Sequence, residues 1–176
     1  MSNQYKIDPA HSSANFSIKH MMISKVHGGF DKISGMFVYD PQNPELSVVN
    51  AEIEVASINT REAQRDGHLK SADFFDVENH PLMVFKSKSF KRTGDDLLVV
   101  LGELSIRGVT KEVTLQVEGP TAEMKDPWGN LKSAISASTK ISRKEFGLTW
   151  NAALETGGVL VGDEVTITLD VQFARA

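Results

Sequence analysis

Apolar and polar residues alternate with a period of two along most of this chain, the pattern of half-buried β-strands. Ala14, Phe16, Ile18 and His20 alternate with Asn15, Ser17 and Lys19. Ile33, Gly35, Phe37 and Tyr39 share one face of a second stretch, and Val49, Ala51, Ile53 and Val55 one face of a third. Met83 and Phe85 lie opposite Lys86 and Lys88. Leu98, Val100, Leu104 and Ile106 fall on one face of a long strand, in which Gly102 leaves room or a kink. Val113, Leu115 and Val117 alternate with Thr114, Gln116 and Glu118, and Leu131, Ser133, Ile135, Ala137 and Thr139 form a weaker stretch. The cleanest alternation is Val165, Ile167, Leu169, Val171 and Phe173. Turn signals separate these segments: Gly28-Gly29 (a bend or bulge), Asp40-Pro41, Thr93-Gly94, Arg107-Gly108, Gly119-Pro120, Asp126-Pro127 and Gly157-Gly158. The count is about eight strands, and short turns imply antiparallel neighbours. A sheet of that size closes into a barrel or splits into two layers. Periodicity alone does not separate barrel from sandwich.

One stretch, residues 59–85, breaks the alternation. Asn59 with Glu62 three residues on forms a capping-box pattern, which predicts a short helix over 60–70. Gly67 weakens its end, and Ser71 can cap a second turn over 73–75. Leu69, Phe74, Phe75 and Val77 supply an apolar patch, and Pro81 closes the segment. A helical insert in an otherwise all-β chain covers a barrel end or a sheet edge. Ser142-Arg143-Lys144-Glu145 is a second capping-box pattern and predicts a single helical turn.

Composition narrows the partners. A chain of 176 residues is most simply one domain, spanning 1–176. Its net charge of -4, without a basic block, disfavours nucleic acid. No apolar run approaches the roughly 20 residues of a membrane helix, so stable insertion through a helix is not expected. The absence of cysteine removes disulfides, thiol catalysis and cysteine-bound metals. Residues 1–7 show no basic segment followed by an apolar one, which points to the cytoplasm; a chain trimmed of its signal peptide looks the same.

Four groups of residues carry a resemblance. The first is Tyr5-Lys6-Ile7-Asp8 with His11-Ser12 and Phe16-Ser17-Ile18-Lys19-His20. The second is Arg65-Asp66-Gly67-His68-Leu69 with Ser71, Asp73-Phe74-Phe75-Asp76 and Pro81. The third runs from Gly102-Glu103-Leu104 through Ile106-Arg107-Gly108 to Lys111. The fourth is Arg143 with Phe146-Gly147-Leu148, then Val161-Gly162-Asp163-Glu164-Val165. In this order they cover residues 5–173, and the chain resembles the YceI-like family of lipocalin-like barrels that bind polyisoprenoid or related lipids. The resemblance implies an eight-stranded antiparallel barrel with an apolar tunnel, a short helical cap, and a long isoprenoid or prenylated quinone as ligand. It also implies that a homodimer is possible, no cofactor, and a periplasmic location wherever a signal peptide is present.

With that resemblance, the inward faces supply a candidate lining: Phe16, Ile18, Phe37, Ile53, Phe85, Leu104, Ile106, Ile135 and Leu169, with Gly102, Leu69, Phe74, Phe146 and Trp150 beside them. The bland alternative is a solid core, since barrels of this size are filled or hollow. The small residues Gly35, Ala51, Gly102 and Ala137 favour open space. His11, Arg65, Asp66 and His68 are the most concentrated polar set. Arg65 and His68, three apart, share a helix face. They form either a polar mouth for a ligand head group or an ion-pair network anchoring the insert. A hydrolase built on His68, Asp66 and a serine is the rival reading, but no Gly-x-Ser-x-Gly elbow or His-Glu-x-x-His motif supports it. The five histidines lack metal-ligand spacing. The expectation is a binding protein, not an enzyme. Trp150 reads as packed in the barrel, and Trp128 either folds over an end or anchors a partner.

Overall fold

The structure, a computed structural model, describes residues 2–155 and 157–176. Its strands are β1 (Asn3–Ile7), β2 (Ser13–His20), β3 (Ser24–Phe30), β4 (Ile33–Tyr39), β5 (Val48–Glu54) and β6 (Ile58–Asn59). After the helix α1 (Ala63–Lys70) come β7 (Leu82–Gly94), β8 (Leu97–Ile106), β9 (Val109–Glu118), β10 (Met124–Lys125), β11 (Leu131–Ser142) and β12 (Val161–Arg175). Every pairing is antiparallel. The order β12-β11-β9-β8-β7-β5-β4-β1 returns to β12 and closes an eight-stranded barrel. The barrel alternative is therefore the correct one, and closure leaves these eight strands no open edge.

β12 is the seam. One side pairs with β11 from Ser142↔Glu164 to Lys132↔Ala174. The other side takes β1 at its C-terminal end (Ile7↔Phe173) and β2 over the rest (Ala14↔Leu169, Ile18↔Val165). The strands β2, β3 and β6 then lead outward from β12 into α1.

Two apolar clusters fill the ends of the barrel. One gathers Tyr5, Phe37, Phe90, Val100, Val171 and Phe173, with the Phe37 and Phe173 ring centres 4.9 Å apart. The other gathers Phe30, Val55, Phe74, Met83, Ile106, Phe146 and Leu148 under α1. Half-buried Ile53 and Phe85 pack against both.

The helix differs from expectation at its start. It begins at Ala63, and Glu62 caps it by accepting from the Gln64 and Arg65 amides at 3.2 and 2.7 Å. Asn59 instead accepts from the Arg61 amide in a local turn, and Arg61 takes a left-handed φ of 66°. That conformation interrupts the helix before Glu62. The second capping box also differs: residues Arg143–Phe146 form one 3-10 turn, but the Ser142 hydroxyl donates to Asp163 at 2.6 Å. Asp163 also accepts from the Lys144 amide. Burial pushes the Asp163 pKa up, but these donors and the charges of Lys144 and Arg143 hold it below the ordinary carboxylate value.

Gly28 is not a bend. It lies within β3, opposite Phe16. A Cβ there would meet the Phe16 ring at 2.5 Å and the Thr60 methyl at 2.8 Å. The glycine is needed because the insert and a neighbouring aromatic both press on the strand at this point.

Candidate functional site

A cavity of about 690 Å³ runs inside the barrel from one cluster to the other. That volume lies within the range of small-molecule sites. Phe37, Phe90 and Phe173 line one end, and Leu69, Phe74 and Trp150 line the other, beneath α1. Between them the wall is built from inward residues of β5, β8, β11 and β12, among them Ala51, Leu104, Ile135 and Leu169. Several of these, including Phe16, Ile53, Phe85, Leu104, Ile135 and Leu169, are half-buried although they point into the barrel. A solid core would bury them fully, so their residual accessibility is that of a hollow interior.

Most of the polar lining gathers toward α1: Lys19, His20, Glu62, Gln64, Arg65 and His68, with Arg143 on the adjoining wall; Asn15 of β2 and Thr139 of β11 are its other polar members. Lys19, Glu62 and Gln64 line the cavity and are also exposed to solvent. The cavity therefore opens between the end of β2 and α1.

Side-chain hydrogen bonds hold α1 in place. The buried Thr60 receives bonds from Arg65 Nε on its hydroxyl and Arg65 Nη2 on its carbonyl, each at 2.8 Å. Thr60 in turn donates its amide, at 2.9 Å, and its hydroxyl to Asp66. Arg65 and Asp66 thus meet through Thr60 at the start of the insert, by hydrogen bonds within it and not by an ion-pair network to the barrel. His68, on the same cavity-facing side, has a different partner. Its Nε2 lies 2.8 Å from Asp73, and its ring stands edge-on to Phe74 and Trp150 at 5.0 and 4.7 Å. Asp66 and His68 thus serve different partners, and the Ser71 hydroxyl donates to the His68 carbonyl, not to its ring. The geometry of a nucleophile relay is not assembled at these groups.

Phe16, Ile18, Phe37, Ile53, Arg65, His68, Leu69, Phe74, Phe85, Leu104, Ile106, Ile135 and Trp150 all border the cavity. Three residues of the sequence-derived set do not. His11 sits on an exposed turn, 3.0 Å from Asp8, which also binds Lys132 at 2.9 Å. That places it beside the Gln172 region of β12, away from α1. Phe146 is 1% exposed and packs behind the wall in the cluster under α1. Gly102 faces inward, but the Phe85 ring occupies its place: a Cβ would meet that ring at 2.4 Å and the Lys86 carbonyl at 2.7 Å. Gly35 and Ala137 likewise give no open space. A Cβ on Gly35 would meet the Asn50 carbonyl at 2.2 Å, and Ala137 is buried in the first cluster. Of the small residues, Ala51 borders the cavity. Gly102→Leu is accordingly expected to lower stability by about 1–3 kcal/mol through overpacking, seen as a lower urea midpoint. An unchanged midpoint would show that Phe85 yields into the cavity.

Sequence reasoning missed Arg143 as a structural centre. Its guanidinium is 3% exposed and donates to four backbone carbonyls: Gly162 (2.7 Å), Leu148 (2.7 Å), Trp150 (2.9 Å) and Val161 (3.2 Å). Burial pulls its pKa below the ordinary arginine value, and the charge of Asp163 opposes that pull. The lone arginine before Phe146-Gly147-Leu148 was the available signal; its partners are carbonyls, which no side-chain pattern reveals. Trp128 is 83% exposed at its loop tip and does not fold over an end.

Comparison with known proteins agrees with this architecture. The family model described as the YceI-like domain matches residues 5–173. The protein YceI of Escherichia coli is 40% identical over 146 residues, covering 82% of this chain and 75% of that protein. The crystal structure of Burkholderia cenocepacia BcnA superimposes with a TM-score of 0.80 at 23% identity, covering 94% of this chain and 98% of that one. A polyisoprenoid-binding domain from Saccharophagus degradans superimposes with a TM-score of 0.71 at 15% identity, covering 98% of each chain. With the barrel, the capped cavity and the motif residues in these positions, the chain belongs to the YceI-like domain family.

Proposed function

We propose that this protein binds a long apolar lipid, an isoprenoid chain or a prenylated quinone, inside its barrel, and that it acts by enclosure without catalysis. The observation that carries this reading is the continuous, largely apolar cavity of about 690 Å³ whose polar groups concentrate at one mouth. A chain lying along Phe37, Phe85, Leu104 and Leu169 leaves water for apolar wall throughout. Each buried CH₂ of such a chain is worth about 0.8 kcal/mol. Affinity then needs few polar contacts. His68, Arg65 and Lys19 stand where a polar head group would rest. The similar domain from Saccharophagus degradans is described as polyisoprenoid-binding, which supports the same ligand class here.

Native mass spectrometry of the purified protein, with organic extraction of what it retains, tests this. The expected result is a lipid-sized adduct with an isoprenoid fragment pattern, or stoichiometric uptake of added prenylquinone by the empty protein. Failure of the folded, empty protein to take up prenylquinone would sink the reading.

A further inference from the structure

The hairpin joining β2 to β3 ends in three consecutive apolar residues. Met21 is 43% exposed, Met22 62% and Ile23 84%. The tip is tightly closed, with His20 pairing with Ser24 and the Ile23 amide donating to the His20 carbonyl. Met21 and Met22 both take left-handed φ values, 53° and 61°. Glycine and asparagine suit such positions, and here methionines occupy them. The turn thus holds large apolar side chains in water, against both backbone preference and the hydrophobic effect.

The tip adjoins the cavity mouth. The Met21 amide donates to the Leu160 carbonyl at 2.7 Å, and Leu160, Lys19 and His20 all line the cavity. Met22 sulfur rests against Gly158, and the adjacent Val159 is 42% exposed. Charge distinguishes this face from the rest of an acidic protein. Lys19 and Lys25 are cross-strand partners, both exposed, with His20 and His27 beside them. No acidic residue occurs between Asp8 and Asp31. The carboxylate at the mouth comes from another element: Glu62, the cap of α1. Asp163 and Glu164 of β12 are turned to β11 partners, Ser142 and Lys140.

We propose that the Met21–Ile23 tip docks on an anionic phospholipid bilayer, its apolar side chains entering the headgroup layer while Lys19 and Lys25 meet lipid phosphates. Apolar tips flanked by lysine bind interfaces in this way, with affinity from both buried area and charge. Docking brings the opening between β2 and α1 to the membrane, so an apolar chain passes from bilayer to cavity with little exposure to water. That use rests on the lipid-binding reading; docking itself does not.

The test is flotation of the full chain with vesicles free of isoprenoid, either phosphatidylcholine alone or phosphatidylcholine mixed with phosphatidylglycerol. The wild type is expected to float with the anionic vesicles and to be released by high salt. The double variant Met22→Ser, Ile23→Ser is expected to bind at least about tenfold more weakly with an unchanged melting temperature, since about 1.4 kcal/mol is tenfold. Equal binding by the variant, or no flotation of the wild type, overturns the proposal. So does a wild type that elutes as a dimer, fails to float and becomes monomeric on substitution, which assigns the tip to self-association. The vesicles carry no isoprenoid, so this result is independent of whether the cavity takes up prenylquinone.

Discussion

Replacing Arg143 with methionine is expected to lower the stability of the fold by about 3–5 kcal/mol, the range seen when a buried charged group loses its place in a bonded network. For a chain of this size that is a fall in Tm of roughly 10 °C or more. The guanidinium ties four carbonyls from two segments, Leu148 and Trp150 on one and Val161 and Gly162 on the other. Methionine matches the length of the stem but takes the donor away from Leu148, Trp150 and Gly162 in a site only 3% exposed, while the Val161 carbonyl keeps its bond from the Asn151 side-chain amide at 2.7 Å. Each buried acceptor left unpaired costs about 1–3 kcal/mol, less whatever water recovers. Arg143→Lys retains the charge but cannot reach both segments with a planar fork. It is expected to recover only part of the loss. Urea unfolding of both variants distinguishes this from a charge effect: if lysine restores wild-type stability, the charge and not the fork geometry holds the segment.

The same residue also positions the wall of the cavity. Trp150 accepts from Arg143 through its carbonyl and presents its ring to His68 and Phe74 at the α1 end. Loosening the 147–160 segment therefore loosens the mouth as well as the fold. In Arg143→Lys, lipid retention is expected to fall further than the melting temperature suggests.

What could be read from sequence, and what could not, follows from which residues make a pattern on their own strand. The inward faces of β2, β4, β5, β9 and β12 alternate cleanly, and each was legible. β3 was not, because its inward positions are Val26, Gly28 and Phe30, and Gly28 is blank in a hydrophobicity pattern. Its space belongs to Phe16 of β2. Gly102 of β8 misled for the same reason: it looked like room for a ligand, and it is room for Phe85 of β7. β7 hides its second half differently. A register shift between Ser87 and Ser89 restores Phe90 to the inner face out of phase with Met83 and Phe85. A bulge of this kind has no signature in alternation. The helix boundary failed because Thr60, held by Arg65 and Asp66 from the following turns, stops the chain from entering the helix at Asn59. In each case the deciding contact is between strands or turns distant in pattern, while the periodic signal is local. The polar site was legible in its membership and not in its pairing: Arg65 and His68 do share a face toward the cavity, but His68 pairs with Asp73 and His11 belongs to the other end.

Leu169→Trp is the substitution expected to separate binding from folding. Leu169 is half-buried and borders the cavity near the middle of β12. Its cross-strand neighbours are Ala14 on one side and Ala137 on the other. Small neighbours leave the larger ring free to extend into the cavity without displacing another wall residue. Overpacking costs about 1–3 kcal/mol when a methylene is forced into a filled core. Here the added ring enters space already present, and the apolar area it buries offsets part of any strain. The melting temperature is therefore expected to stay within a few degrees of wild type. Prenylquinone uptake is expected to fall at least about tenfold, a loss of about 1.4 kcal/mol or more in binding free energy, because the ring occupies the path between the two ends of the cavity. Gly102→Leu gives the opposite pattern, a loss of stability at a position that does not border the cavity. Titration of both variants with a prenylquinone, alongside thermal unfolding, checks the pair. If Leu169→Trp binds as tightly as wild type while remaining folded, the ligand does not lie along β12, and the enclosed path from Phe37 to Trp150 is not the binding site.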